Sequence, residues 1–459
     1  GGITMKKRLL AMSMALLMAA GLTVGCGGGT ADTPATQAPE TQKDGGETTQ
    51  AQASGGGESG EQVTIRFAGW LEVEEATSQL FKDLIAGFEA ENPDIKVETV
   101  AIPFNNFKDQ VMIAANSGDA ADVIMGNDQM MSAFNGAQIL QPLEGVLDQA
   151  VIDDLIPVYK EATMYDGKLC SVAWMPHPVA MFYNKDLFAK AGLDPEAPPK
   201  TWDEMIDAIA KISALGEDEN GNRIYGLAIP NGKGSHAAQR FQGIVYSYGG
   251  NFLDDTGMPN VETPEYKEAF QFLKDMADQG YMPECVDAKD ARSLFATGVA
   301  GITFESEMGR NIYRTTSGLG EEFDKSMGVA LFPVNKTGES TTINTRHELG
   351  IYAQSEHKEA AAKLVEYLLS EEAAVMYYDA QDAMSPRVSI SQLPEMNKDE
   401  YSRIFNEQSA TAKPVKITNA LFDNAMSEMS KSMERVLVNH EDIDTVLADL
   451  QKTVTDLYK

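Results

Sequence analysis

Between residues 63 and 125 the apolar spacing switches repeatedly between two periods, and that alternation limits the fold more than any other feature of the chain. Val63 to Ala68 alternates with period two, as a strand does. From Glu74 to Ala90, Leu80, Phe81, Leu84, Ile85 and Phe88 share one helical face, and Asn92-Pro93 stops the run. Ile95 to Ile102 reads as a second strand, Asn105 to Asn116 as a second helix ended by Gly118, and Ala121 to Met125 as a third strand. Strand–helix–strand–helix–strand means parallel strands joined by right-handed crossovers, an α/β lobe. In such sheets a ligand binds beyond the carboxyl ends of the strands. That rule nominates Trp70 after the first strand, and Asn127 and Asp128 after the third. An indole covers an apolar ring face while amide and carboxylate groups pair with hydroxyls, a set that suits a sugar. Trp70 reads equally well as a core tryptophan, and Asp128 as a helix N-cap.

A second α/β segment follows. Lys168 to Trp174 and Val179 to Tyr183 read as strands broken by Met175-Pro176-His177-Pro178. Two prolines in that space make a stiff extended crossing, suited to a hinge between lobes. Trp202 to Leu215, His236 to Tyr248 and Pro264 to Gln279 are helices, Ile224 to Ile229 is a strand, and Lys358 to Ser370 is helical again. About 400 residues beyond residue 61 suffice for two lobes with separate cores.

The N-terminus has a different character. Lys6, Lys7 and Arg8 precede an apolar run from Leu9 to Leu22, the layout of a secretory signal peptide over residues 1–25. The run is short of the roughly 20 residues a membrane-spanning helix needs. It ends at Thr23-Val24-Gly25-Cys26, which resembles a bacterial lipobox and implies a diacylglycerol on Cys26. Leucine usually sits three before that cysteine, and here Thr23 does, so cleavage without lipidation stays open. Residues 27–60 contain no Val, Ile, Leu, Met or aromatic residue, so residues 26–61 read as a disordered tether. Such a tether reaches roughly 30 Å.

The formal net charge is −32, and losing residues 6–8 makes it more acidic still. That acidity argues against nucleic acid and anionic membrane surfaces as partners. With Cys26 carrying lipid, Cys170 and Cys285 remain, expected as unpaired thiols. No metal-ligand spacing and no cofactor motif appears. Gly216 to Gly221 suggests a calcium loop, but Gly216 and Leu227 stand where acids are required, and a turn at Asn220-Gly221 fits better.

Phe182-Tyr183-Asn184-Lys185-Asp186-Leu187-Phe188, Ala191-Gly192-Leu193 and Pro199-Lys200-Thr201-Trp202-Asp203-Glu204 follow one another in a familiar order. So do Tyr165-Asp166-Gly167-Lys168-Leu169, Tyr248-Gly249-Gly250-Asn251-Phe252, Phe295-Ala296-Thr297-Gly298 and Met384-Ser385-Pro386-Arg387. Together they resemble the family 1 extracellular solute-binding proteins of ATP-binding-cassette importers, the group containing maltose-binding protein. The resemblance spans residues 62–459 and implies a type II periplasmic-binding-protein-like fold of two α/β lobes with a ligand cleft at a hinge. It places 62–175 and 300–350 in the N-terminal lobe, and 176–299 and 351–459 in the C-terminal lobe. It implies a monomeric, non-catalytic body outside the cytoplasm, held to the membrane by lipid alone. That body would deliver a mono- or oligosaccharide to permease subunits. Fitted to the cleft, Trp174 follows the strand entering the hinge, Tyr248 and Asn251 lie on the second lobe's rim, Glu305 and Ser306 follow the returning strand, and Arg346 and Glu348 precede the strand Leu349 to Ala353. Arginine and carboxylates both grip vicinal hydroxyls. Trp202 reads as structural packing. Two alternatives stay open: a secreted carbohydrate-active enzyme, which needs two carboxylates about 5–10 Å apart, and a sensing protein docking on a receptor.

Overall fold

Val172–Asn184 is buried at every one of its 13 positions, and the architecture is arranged around it. The computed structural model describes residues 62–75, 77–232, 234–334, 338–415, 417, 419 and 421–459. The expected signal peptide, Cys26 and tether lie outside them.

The strands used below are β1 (Val63–Gly69), β2 (Ile95–Ala101), β3 (Val123–Asn127), β4 (Val172–Asn184), β5 (Tyr225–Leu227), β6 (Ala300–Ser306), β7 (Met327–Ala330) and β8 (Ile343–Ile351). Their order in the sheet is β2-β1-β3-β8-β4-β6-β5, with β7 also on β4. β1 runs parallel to β2 and β3, as the period switching requires. The helices Ser78–Glu91 and Phe104–Asn116 make the crossovers, turning Phe81, Leu84 and Phe88, then Phe107 and Val111, inward.

β4 changes partners along its length. Val172 to Pro178 lies antiparallel to β8, with Pro176 opposite Arg346. Val179 to Tyr183 lies antiparallel to β6, with Met181 opposite Phe304. The change falls where the ladder is weakest. Pro176 and Pro178 have no N–H to give. The His177 N–H between them donates to the Asn344 side chain at 3.2 Å. The sequence's two broken strands are therefore one strand with a soft middle.

Two large cores sit on either side of that middle. The first gathers Ile65, Phe67, Phe88, Val123 and Phe134 with Trp174 and Met175. The second gathers Val179, Met181, Ile209, Phe241, Leu273 and Ile302 with the C-terminal helices Phe422–Leu437 and Ile443–Tyr458. A smaller cluster lies on the other face of β4 around Phe182, Phe295, Tyr313 and Phe405. Chain passes between the two large cores along β4 and along β8 (Ile343 in the second, Leu349 in the first), and from the first core to the smaller cluster at Ala383-Met384.

The expected lobe boundaries need correction. Ile302, Phe304, Ala330 and Phe332 belong to the second core, not the first. Leu364, Val365 and Tyr377 belong to the first, not the second. β6 pairs with the far half of β4, which carries 300–306 away from the first sheet. The helix Lys358–Leu368 returns over the first sheet, where Tyr367 meets Phe88 with ring centroids 5.7 Å apart. Cys170 and Cys285 are both free thiols.

Close approach of elements fixes one glycine tightly. A Cβ on Gly226 of β5 would lie 2.2 Å from the backbone oxygen of Ile209, on the helix Trp202–Ser213. Backbone cannot yield as a side chain can. Gly226→Ala is therefore expected to cost about 2 kcal/mol or more in urea unfolding. An unchanged midpoint would show that helix and sheet are not held in this contact.

Candidate functional site

Burying a charge is costly unless it is paired, so charges enclosed between two cores mark a place worth building in detail. β8 supplies the first set. Asn344, Arg346 and Glu348 recur at every second residue of this strand and share one face, while Thr345 and His347 alternate with Ile343, Leu349 and Ile351 on the other. Asp128 joins them from the start of the helix after β3. Asp128, Arg346 and Glu348 are each 3 % exposed or less.

Arg346 is the centre of this set. Its Nε lies 2.7 Å from Glu348 Oε1, off the line of a good hydrogen bond. Its Nη2 donates to the Ala162 carbonyl at 2.9 Å, and its Nη1 lies 3.9 Å from Asp128 Oδ2. Ser171 Oγ donates to Glu348. Asp128 Oδ1 accepts from the Gln129 N–H at 2.9 Å, and Gln239, from the second core's helix Gly234–Ser247, also bonds to Asp128. Asn127 caps the same helix through the Met130 N–H at 2.8 Å.

The second core contributes Glu305, on β6. It accepts from Arg240 Nη2 at 2.9 Å, Arg292 Nε at 2.6 Å and the Ser306 N–H at 2.9 Å. Glu307 meets His177 Nδ1 at 2.5 Å. The His177 ring packs edge-on to His347 at 4.7 Å, and His347 packs edge-on to Trp70 at 5.2 Å. A continuous polar seam thus runs from Trp70 on one side to Glu305 and Ser306 on the other.

The carboxylates of the seam differ in proton affinity. Burial pushes Asp128 and Glu348 above the usual carboxylate range, and Arg346 only partly offsets it. Burial likewise raises Glu307 against the pull of His177. For Glu305 burial is outweighed by Arg292 and Arg240, which together hold its carboxyl well below the ordinary value. Enclosure, reinforced by His177, lowers the pKa of His347 and keeps its ring neutral. Several buried atoms here have no hydrogen-bond partner among the described residues: Asp128 Oδ2, Glu307 Oε2, Glu348 Oε1, Arg240 Nη1, Arg346 Nε and Nη1, His177 Nε2 and His347 Nδ1. They include acceptors, donors and nitrogens able to be either, which is what a set of hydroxyl groups would satisfy.

Of the residues nominated from sequence, Asn127, Asp128, Glu305, Ser306, Arg346 and Glu348 come together in this seam, whereas Trp70 is packed in the first core against Phe104 and Phe107 and touches the seam through His347. Trp174, Tyr248 and Asn251 do not join it. The register between β4 and β8 slips between His347 and Glu348, leaving Trp174 as the extra residue of a bulge. Its indole turns into the first core, donating to the Leu368 carbonyl at 3.0 Å and packing edge-on to Phe67 and Tyr377. Tyr248 stacks on Trp202 at 5.0 Å just past the end of Gly234–Ser247, and Asn251 is exposed. That helix meets the seam through Gln239 and Arg240 near its middle, about 13 Å from Tyr248 at 1.5 Å per residue. Trp202 is packed in the second core, its Nε1 donating to Ser247 at 2.7 Å. Sequence reasoning missed His177, Glu307, Arg240, Arg292, Gln239 and His347. Only His177 carried a local signal, a polar side chain between two prolines.

Two cores sharing long strands, with buried charged groups from both meeting at the crossing, define a two-lobe α/β binding protein. The comparisons give the family. Residues 72–375 match the bacterial extracellular solute-binding proteins, and the chain belongs to that family. A putative binding protein of Brucella abortus is 28 % identical over 299 residues, 64 % of this chain and 70 % of its own length. A putative ABC transporter periplasmic-binding protein of Escherichia coli is 26 % identical over 317 residues, 67 % of this chain and 68 % of its own. Among solved structures, the cyclic alpha-maltosyl-1,6-maltose binding protein of Arthrobacter globiformis superposes with a TM-score of 0.75 at 22 % identity, covering 86 % of this chain and 98 % of that one. The family and these relatives are binding proteins rather than enzymes, and the family's place is outside the cytoplasm.

Glu305 offers a test of the electrostatics. Glu305→Gln removes the acceptor shared by Arg240 and Arg292, at a cost of about 3 kcal/mol at neutral pH. Because the folded pKa is depressed, the contribution is complete above the ordinary value of 4.5 and declines as pH falls below it. Urea unfolding of both proteins from pH 7 to pH 3 should show the gap narrowing below 4.5. A gap constant to pH 3 would contradict the assignment.

Proposed function

We propose that this chain captures a small sugar, a mono- or oligosaccharide, in the seam between its lobes and delivers it to the permease of an ATP-binding-cassette importer. The observation that carries the reading is the buried set of polar atoms without hydrogen bonds that both sides of the seam supply: Asp128 Oδ2 and Arg346 Nη1 on one side, Arg240 Nη1 and Glu307 Oε2 on the other. Hydroxyls both donate and accept, so a polyhydroxylated solute answers such a mixed set, and a ligand touching both sides stabilises the closed arrangement. The names of the relatives support the same direction: one is a periplasmic-binding protein of an ABC transporter, and a neighbour in fold binds a cyclic maltosyl-maltose.

Thermal unfolding of the purified chain against mono- and oligosaccharides, with amino acids and peptides as controls, tests this. A ligand at a hundred times its Kd adds about 2.7 kcal/mol, enough for a rise of several degrees. A rise with one sugar class and recovery of the intact sugar is the expected result. A rise confined to amino acids or peptides would overturn the sugar assignment.

Residues 5–26 support lipid anchoring at Cys26, where two acyl chains would hold the body at the outer face of the membrane. Cys26→Ser is expected to abolish incorporation of labelled fatty acid and to move the protein from the membrane fraction to the medium. Retention of label in the variant would exclude Cys26 as the anchor.

A further inference from the structure

Arg240 brings the second core's guanidinium to the seam, and its direction is set at one point. Its Nη2 donates to Glu305 Oε1 at 2.9 Å, while its Nη1 is buried without a hydrogen-bond partner among the described residues. The other residues lining the cavity beside it, among them Val179, Phe241, Phe304 and Phe332, are apolar and offer no second side-chain anchor. Glu305 therefore aims Arg240. The last torsion of a glutamate is soft, so its carboxylate turns unless both oxygens are held. Oε1 is held by Arg240 and by the Ser306 N–H at 2.9 Å. Oε2 is held by Arg292 Nε at 2.6 Å. Arg292 comes from a different part of the fold. It lies on the helix Ala288–Ala296, whose Phe295 and Ala296 pack in the smaller cluster, whereas Ala238 and Phe241 beside Arg240 pack in the second core. Its side chain is 30 % exposed, against 12 % for Arg240 and 6 % for Glu305, so it is the outer end of the relay.

Resting on the solute-capture reading above, we propose that Arg292 is a positioning residue for capture: from outside the seam, through Glu305, it holds Arg240 with Nη1 free to donate to a solute hydroxyl. A guanidinium and a carboxylate left to themselves favour a bidentate pair, two parallel N–H···O bonds. Arg292 prevents that pairing by occupying Oε2. Without Arg292 the carboxylate turns about its last bond, and the released Oε2 competes for Arg240 Nη1. Arg240 then gives both terminal nitrogens to Glu305 and none to the solute.

The test is a double-mutant cycle, read by calorimetric titration of the full chain with glucose, galactose, xylose, maltose and maltotriose, with urea unfolding of each variant alongside. Arg240→Ala is expected to weaken binding of the sugar that the unaltered protein takes by about 100-fold. Arg292→Ala should weaken it by about tenfold, and Arg240→Ala/Arg292→Ala should bind no more weakly than Arg240→Ala alone. Arg292→Lys should recover most of the loss, because an ammonium can also hold Oε2. A role in stability alone would lower unfolding midpoints and leave affinities unmoved. Binding by Arg292→Ala within about twofold of the unaltered protein, or losses that add in the double variant, overturns this inference and leaves solute capture standing. Unchanged binding by Arg240→Ala removes Arg240 from the solute's contacts and overturns it as well. Failure of every sugar overturns the sugar reading and this inference with it. If Arg292→Ala does not fold, Arg292→Met, which keeps the reach of the side chain without its charge, takes its place in the cycle.

Discussion

The sharing of one strand between two cores is the constraint on which the rest of the structure depends. β4 must be extended, to serve two sheets. It must also be apolar at nearly every position, because its first half closes one core and its second half lies between two clusters. Its prolines sit where partners change, so neither sheet loses a ladder bond it could have kept. A crossing with few ladder bonds bends more readily than the sheets it joins.

The same crossing brings charge into a place where water is scarce. Arg346 and Glu348 lie on β8 because that strand passes between the cores, and Asp128 starts the helix that follows the neighbouring strand. Such groups are expensive to bury, and the raised proton affinities of Asp128, Glu307 and Glu348 record that expense. Hydrophobic replacements of similar volume would often be as stable or more so. Keeping charged groups there fits a recognition surface better than it fits a device for stability.

The first lobe was legible because its strands and helices alternate in short, unmistakable periods, and the strand-end rule then located Trp70, Asn127 and Asp128. Arg346 and Glu348 were fitted through the resemblance to a position ahead of a strand expected at Leu349 to Ala353, whereas both lie within β8. The second lobe's share was not legible. Arg240 and Gln239 lie on a helix whose buried residues include Gln242 and Ser247 as well as Phe241 and Ile244, so polarity does not mark the face that meets the seam. Tyr248 and Asn251 were placed on the second lobe's rim through the resemblance, whereas Tyr248 stacks on Trp202 past the end of its helix and Asn251 is exposed. Trp174 misled because a one-residue bulge reverses the side on which a strand residue faces, and no local pattern announces a bulge. The lobe boundaries were misplaced because amphipathic periodicity shows that the helix Lys358–Leu368 covers a sheet without showing which one.

The central claim is that a solute is held between the lobes by groups from both. Backbone hydrogen exchange, followed with and without a bound sugar, tests it most directly. The account predicts slowed exchange together at 127–130, 236–242, 305–307 and 344–348, from both sides of the seam. Protection confined to one lobe, or centred on 248–251, would contradict it.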